Sequence, residues 1–65
     1  MSVEYELRAV EKAIQMCQQE IEVQTDRLMR QTRDGLDASS SRRLLFTLHR
    51  NLTALKQAKQ ALERR

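Results

Sequence analysis

One cysteine, Cys17, and one histidine, His49, are the side chains of this sequence that could support nucleophilic chemistry. A nucleophile and its general base must approach within about 2.6–3.2 Å of each other. A structural zinc site needs more Cys and His ligands than these two residues supply. The single glycine of the chain cannot form a glycine-rich loop around a phosphate. The composition therefore predicts a protein that is not an enzyme and that binds no metal, cofactor or small-molecule substrate.

Five arginines near the middle of the chain could form a different kind of site. They are Arg27, Arg30, Arg33, Arg42 and Arg43. Guanidinium groups bind phosphates and carboxylates well, and the sequence pI of about 9.6 is compatible with a nucleic-acid partner. However, three aspartates lie among these arginines, and no aromatic residue is interleaved with them for base stacking. Two interpretations stay open: a solvated helical tip, or contacts with RNA, DNA or an acidic protein.

The charges are distributed as a dipole along the chain. Residues 1–26 carry six acidic and two basic side chains, a net charge of −4, whereas residues 27–65 carry three acidic and ten basic ones, a net charge of +7. A chain that folds back on itself would place the acidic start beside the basic end. Much of the charge would then be used internally, which weakens the case for a polyanionic partner.

Long helices are the elements that must position these residues. The 65-residue chain has no proline, one glycine and two aromatic residues, and good helix formers dominate it. Its single cluster of helix-breaking residues surrounds the glycine. The sequence predicts one domain spanning residues 1–65, with a first helix over about 3–34, a turn at 35–37 and a second helix over about 38–64.

The ends of both helices carry recognisable signals. Ser2 is predicted to cap the N-terminus of the first helix, and Asp37 that of the second, with Ser39 to Ser41 as later alternatives. Gly35 suits the left-handed conformation that follows a helix C-terminus. A connection this short makes the two helices antiparallel neighbours.

Apolar residues recur at alternating spacings of three and four in both predicted helices, which is the heptad pattern of a coiled coil. The seam residues of the first helix are Val3, Leu7, Val10, Ile14, Cys17, Ile21, Gln24, Leu28 and Gln31. Those of the second are Ala38, Ser41, Leu45, Leu48, Leu52, Leu55, Lys59 and Leu62, with Leu44 and Ala58 widening the stripe. The predicted fold class is all-α: a two-helix antiparallel coiled-coil hairpin, completed by dimerisation into a four-helix bundle or by a partner protein.

The turn predicts the register of this hairpin. Facing residues should have numbers that sum to about 72, which places Cys17 opposite Leu55 and Gln31 opposite Ser41. His49 would then lie about 9 Å from Cys17 along the helix axis. This separation exceeds the reach of a catalytic pair, so Cys17 is predicted to be a buried seam thiol.

A second apolar face lies away from the seam. The residues that compose it are Tyr5, Ala9, Met16, Val23 and Phe46. A helix that is apolar on two faces usually has two neighbours, and the hairpin provides one. Single exposed apolar residues are also ordinary on protein surfaces. The sequence therefore allows a partner-binding face or scattered surface residues, and we favour the partner-binding face.

These features predict a non-enzymatic protein–protein interaction module that acts in the cytoplasm as an adaptor, co-chaperone or regulatory subunit. Its partner would be a second copy or another protein, and no membrane contact is expected. The run Leu-Thr-Ala-Leu-Lys-Gln-Ala at 52–58 loosely resembles the second helix of the small co-chaperones of bacterial type III secretion needles. The alternative is a helical-hairpin nucleic-acid-binding regulator that uses the arginines at the turn, comparable in shape to small plasmid RNA-binding hairpins.

Overall fold

The computed structural model describes residues 2–64, which form two α-helices packed along their length. Helix α1 spans Val3–Arg33, and helix α2 spans Ser39–Glu63. The hairpin is a rod with principal extents of 49 × 14 × 14 Å. The predicted all-α helical hairpin is therefore confirmed. Within residues 2–64, neither helix has a stretch long and apolar enough to cross a lipid bilayer.

Helix α1 begins as its sequence predicts. The backbone N–H of Tyr5 donates to Ser2 Oγ at 3.2 Å, so the serine side chain satisfies one of the unpaired donors at the helix start. Glu4 and Glu6 lie in the first turn, beside the positive end of the helix dipole. The N-terminus is thus fixed by both hydrogen bonding and charge.

The turn after α1 depends on Gly35. Its φ of +73° lies in the left-handed region that side chains with a Cβ avoid. In this conformation the Gly35 N–H donates to the Thr32 carbonyl at 3.2 Å, and the Leu36 N–H donates to the Gln31 carbonyl at 2.8 Å. These two bonds form a Schellman motif, which satisfies the last carbonyls of α1 and reverses the chain.

Helix α2 begins one residue later than predicted. The cap residue is Ala38, whose carbonyl accepts from the Arg42 N–H at 3.0 Å. Asp37, the predicted cap, lies one residue further out, where its Oδ1 accepts from the Ser39 N–H at 3.0 Å and from Ser39 Oγ at 2.6 Å. The predicted cap is therefore wrong: Asp37 is not the N-cap residue, although its carboxylate accepts a hydrogen bond from the first N–H group of α2.

The capping bonds at Asp37 should make the stability of the hairpin depend on pH. The bonds from Ser39, followed by the weaker attraction of Arg42, hold the Asp37 pKa below its usual 3.8. A carboxylate whose pKa is lowered by folding stabilises the protein above its unfolded pKa, and this contribution disappears as the pH falls through the folded-state pKa. The melting temperatures of the wild type and Asp37→Ala, followed by circular dichroism, should therefore converge below a pH of about 3.8. A constant difference down to a pH of about 2 would contradict this account.

The pattern of burial confirms the predicted seam. In α2 and its cap residue, every residue that is buried or half-buried is one of the eight predicted seam residues. In α1 the predicted residues from Leu7 to Gln31 are buried or half-buried, whereas Val3 is exposed. Leu44 and Ala58, which were predicted to widen the stripe, are exposed, so that part of the prediction is wrong.

The register agrees with prediction at the turn and departs from it further along. Ser41 Oγ donates to Gln31 Oε1 at 2.7 Å, as the predicted pairing requires. Cys17 was predicted to face Leu55, but its thiol donates to the Leu48 carbonyl at 3.3 Å. A helix carbonyl oxygen lies about 2 Å further along the axis than its own Cα, so this oxygen is level with about residue 49 or 50. Facing numbers therefore sum to about 67 at Cys17 and to about 72 at Gln31, so the register departs from the predicted one by up to about one helical turn.

This shift follows from the turn and from side-chain direction. Ala38 is only 3% exposed, so the chain already packs in the seam at the cap residue, before α2 begins. The long side chain of Gln31 points back towards the N-terminus of its own helix, which is how it still reaches Ser41.

Candidate protein interaction surface

The hairpin buries very little apolar surface. Among residues 2–64, Ala38 is the one fully buried hydrophobic residue, and the leucines and isoleucines of the seam are half-buried. The accessible surface is 5329 Å². A compact monomer of 7.7 kDa exposes about 4,300 Å². The excess of about 1,000 Å² means that two helices alone do not enclose their core.

Cys17 and His49 lie closer along the helix axis than the predicted separation of about 9 Å, because the Cys17 thiol contacts Leu48, the residue before His49. The Cys17 thiol is half-buried in the seam and donates to a backbone carbonyl, which makes it a packed structural group. His49 lies on an exposed part of α2. Within the described chain, residues 2–64, no group of three or more Cys, His, Asp or Glu side chains could hold a metal ion.

The two flanks of the seam carry different residues. Taking Leu7 and Leu45 as position a of their heptads, positions c and g of both helices lie on one flank of an antiparallel pair, and positions b and e lie on the other. We call the c and g flank the Met16 face. Its residues in α1 are Glu6, Ala9, Ala13, Met16, Glu20, Val23, Arg27 and Arg30, and in α2 they are Ser40, Leu44, Thr47, Asn51, Ala54, Ala58 and Ala61. We call the opposite flank, which includes Met29 and Phe46, the Phe46 face.

The predicted partner-binding residues divide between these flanks. Ala9, Met16 and Val23 lie together on the Met16 face, where Met16 is 59% exposed and Val23 is 54% exposed. Tyr5 is also exposed, but it occupies the outermost heptad position of α1. Phe46 is 65% exposed and lies on the opposite flank. The five residues therefore do not form one continuous surface.

Phe46 has a neighbour within its own helix. The Arg50 guanidinium lies over the Phe46 ring with its Cζ 5.9 Å from the ring centroid. This is a cation–π contact one helical turn apart, which covers part of the aromatic surface. The exposed Phe46 ring therefore has a contact partner within its own helix, unlike the side chains of Met16 and Val23.

Sequence reasoning overlooked the α2 half of the Met16 face. Leu44 was assigned to the seam, yet it is exposed on this flank, and three alanines follow it at heptad spacing. Met29 and Leu36 are also exposed and were not named as candidates. A heptad count applied to the flanks of both helices, and not only to their seam, would have revealed the second stripe.

The arginine cluster is spread around the turn end and mixed with acids. Arg30 and Arg33 line a shallow depression with Asp26 and Met29. Arg33 Nε lies 3.9 Å from Asp34 Oδ1 in an exposed ion pair, which contributes little to stability.

Of the remaining arginines, Arg27 shares the Met16 face with Arg30, about one helical turn away. Arg42 lies on the Phe46 face, where it attracts the Asp37 carboxylate. Arg43 is exposed at the outermost heptad position of α2. The cluster is therefore not a single basic surface.

Comparisons with protein-family models, curated proteins and solved structures find no match to this chain. The resemblance of residues 52–58 to type III secretion co-chaperones gains no support from them. The candidate surface therefore has to be interpreted from its own geometry.

Proposed function

We propose that this protein is a non-enzymatic protein–protein interaction module that acts through the Met16 face. The observation that carries this proposal is the exposure of Met16 and Val23 on a hairpin that leaves about 1,000 Å² more surface than a compact monomer. Contiguous apolar surface that is rimmed by polar residues commonly marks an interaction site. An adaptor, co-chaperone or regulatory subunit in the cytoplasm is the role that fits such a small helical module.

Paired charge substitutions test this function. Met16→Glu combined with Val23→Glu places two carboxylates on the proposed face, where desolvating them opposes docking. In extracts of cells that express the chain, the wild type should elute above its monomer mass, and this variant should elute as a monomer. Size-exclusion chromatography with immunodetection measures the difference.

The matched control is Met29→Glu combined with Phe46→Glu. It adds the same charge to exposed apolar positions on the opposite flank. We expect this control to elute with the wild type. If the control dissociates the complex and the Met16 face variant does not, the interaction surface is the Phe46 face and the proposal is wrong.

The alternative function is a nucleic-acid-binding regulator that uses the turn-end arginines. The depression beside Arg30 and Arg33 is its supporting feature, but Asp26 lines the same depression and reduces the local positive potential. Binding through phosphate contacts would weaken steeply as salt rises. Affinity for duplex RNA or DNA that falls by about tenfold or more between 50 and 200 mM salt would support it, and no binding would remove it.

A further inference from the structure

The α1 half of the Met16 face is complementary to itself when it is reversed. It begins with the acidic Glu6 and ends with the basic Arg27 and Arg30, and Glu20 interrupts the mainly apolar stretch between them. If a second α1 packs antiparallel about residue 18, Glu6 lies level with Arg30 of the copy, and Ala13 lies level with Val23. Opposite charges then meet at the ends and a small apolar side chain meets a larger one between them, while Met16 lies level with Glu20 and Ala9 with Arg27.

The α2 half of the face is also complementary to itself. Reversed about residue 51, Leu44 lies level with Ala58 of the copy, and Thr47 lies within one residue of the level of Ala54. These pairs combine a larger with a smaller side chain, which allows the two helices to approach closely. Asn51 lies at the centre and would face Asn51 of the copy. A polar residue at such a position is a known device for fixing register and oligomeric state.

The two points about which the helices are reversed, residue 18 of α1 and residue 51 of α2, lie at about one level of the hairpin. The Cys17–Leu48 contact and the Ser41–Gln31 hydrogen bond correspond to facing numbers that sum to about 67 and 72. Residue 18 of α1 is therefore level with about residues 49–54 of α2, a range that includes the α2 centre at Asn51. A single twofold axis perpendicular to the rod can consequently satisfy both helices at once.

The area of the face suits a dimer. The hairpin is 49 Å long and 14 Å wide, so one side has a projected area of about 690 Å². This is of the same order as the roughly 800 Å² of accessible surface that each partner buries in a standard stable interface. A second copy docked along the whole face would therefore bury an area typical of a stable dimer.

We propose that the occupant of the Met16 face is a second copy of this chain, docked antiparallel about a twofold axis. This axis crosses α1 between Met16 and Glu20, and it crosses α2 at Asn51. This assignment rests on the proposed function and specifies its partner. The resulting assembly is a four-helix bundle in which α1 packs on α1 of the copy and α2 packs on α2 of the copy. Neighbouring helices are all antiparallel.

Disulfide cross-linking of the purified chain tests this geometry. In a Cys17→Ala background, Asn51→Cys should form a covalent dimer under mild oxidation, because both cysteines lie on the twofold axis at bonding distance. Thr53→Cys, on the opposite flank of α2, is the matched control. We expect the Asn51→Cys yield to exceed the control by about tenfold or more, measured by non-reducing gel electrophoresis at a fixed protein concentration.

Sedimentation equilibrium of the wild type separates the possible failures. If the purified wild type is a monomer, the occupant of the Met16 face is not a second copy. If the same chain elutes above its monomer mass in cell extracts, the proposed function still stands. A dimer with equal cross-linking at positions 51 and 53 would overturn the antiparallel geometry. A dimer that is cross-linked selectively at position 51 and dissociated by Met16→Glu with Val23→Glu would establish it.

Discussion

Leu52→Ala is expected to remove about 2 kcal/mol from the free energy of unfolding, close to half of what a single core of this size supplies. Leu52 lies in the middle of the seam and is half-buried, so the loss should fall at the low end of the range for buried leucines. The corresponding decrease in melting temperature is about 10–15 °C. Urea denaturation followed by circular dichroism, at one fixed protein concentration, measures both quantities.

Phe46→Ala provides the control for this substitution. It removes a larger side chain from the same helix, but Phe46 is 65% exposed, with the Arg50 guanidinium over its ring. Its effect should stay within about 0.5 kcal/mol. Equal destabilisation by the two variants would mean that the seam is not where the stability of the hairpin lies.

The seam was predictable because its physical signal is local. A heptad repeat depends only on the spacing of apolar residues along each helix, and all eight predicted α2 positions are buried or half-buried. The polar seam residues Gln24, Gln31 and Ser41 were also placed correctly by spacing alone. Val3 is the exception, because the first turn of α1 lies at the end of the rod and is exposed.

The register and the interaction surface were less predictable because they depend on both helices together. The turn length alone suggested that Cys17 faces Leu55, but the Cys17 thiol contacts Leu48, so the register differs there by up to about one turn. Phe46 was grouped with Met16 because each lies away from its own seam. Only the heptad positions of the paired helices show that the two residues occupy opposite flanks.

The two glutamines of the seam should respond in opposite ways when they are replaced by leucine. Gln24 is 6% exposed, and its Nε2 donates to Glu20 Oε1 at 2.9 Å. Glu20 is exposed, so water can replace this bond after Gln24→Leu. The new side chain adds apolar contact across the seam, and we expect a gain of about 1 kcal/mol in the free energy of unfolding, measured by urea denaturation.

Gln31→Leu should instead destabilise the protein. Gln31 accepts a hydrogen bond from Ser41, which is only 5% exposed, so its hydroxyl would lose its partner in a site that water cannot easily reach. An orphaned buried hydroxyl costs about 1–3 kcal/mol. Adding Ser41→Ala to Gln31→Leu removes the orphaned group and should recover most of that loss. If Gln31→Leu stabilises the hairpin as much as Gln24→Leu does, the hydrogen bond to Ser41 makes no net contribution to the structure near the turn.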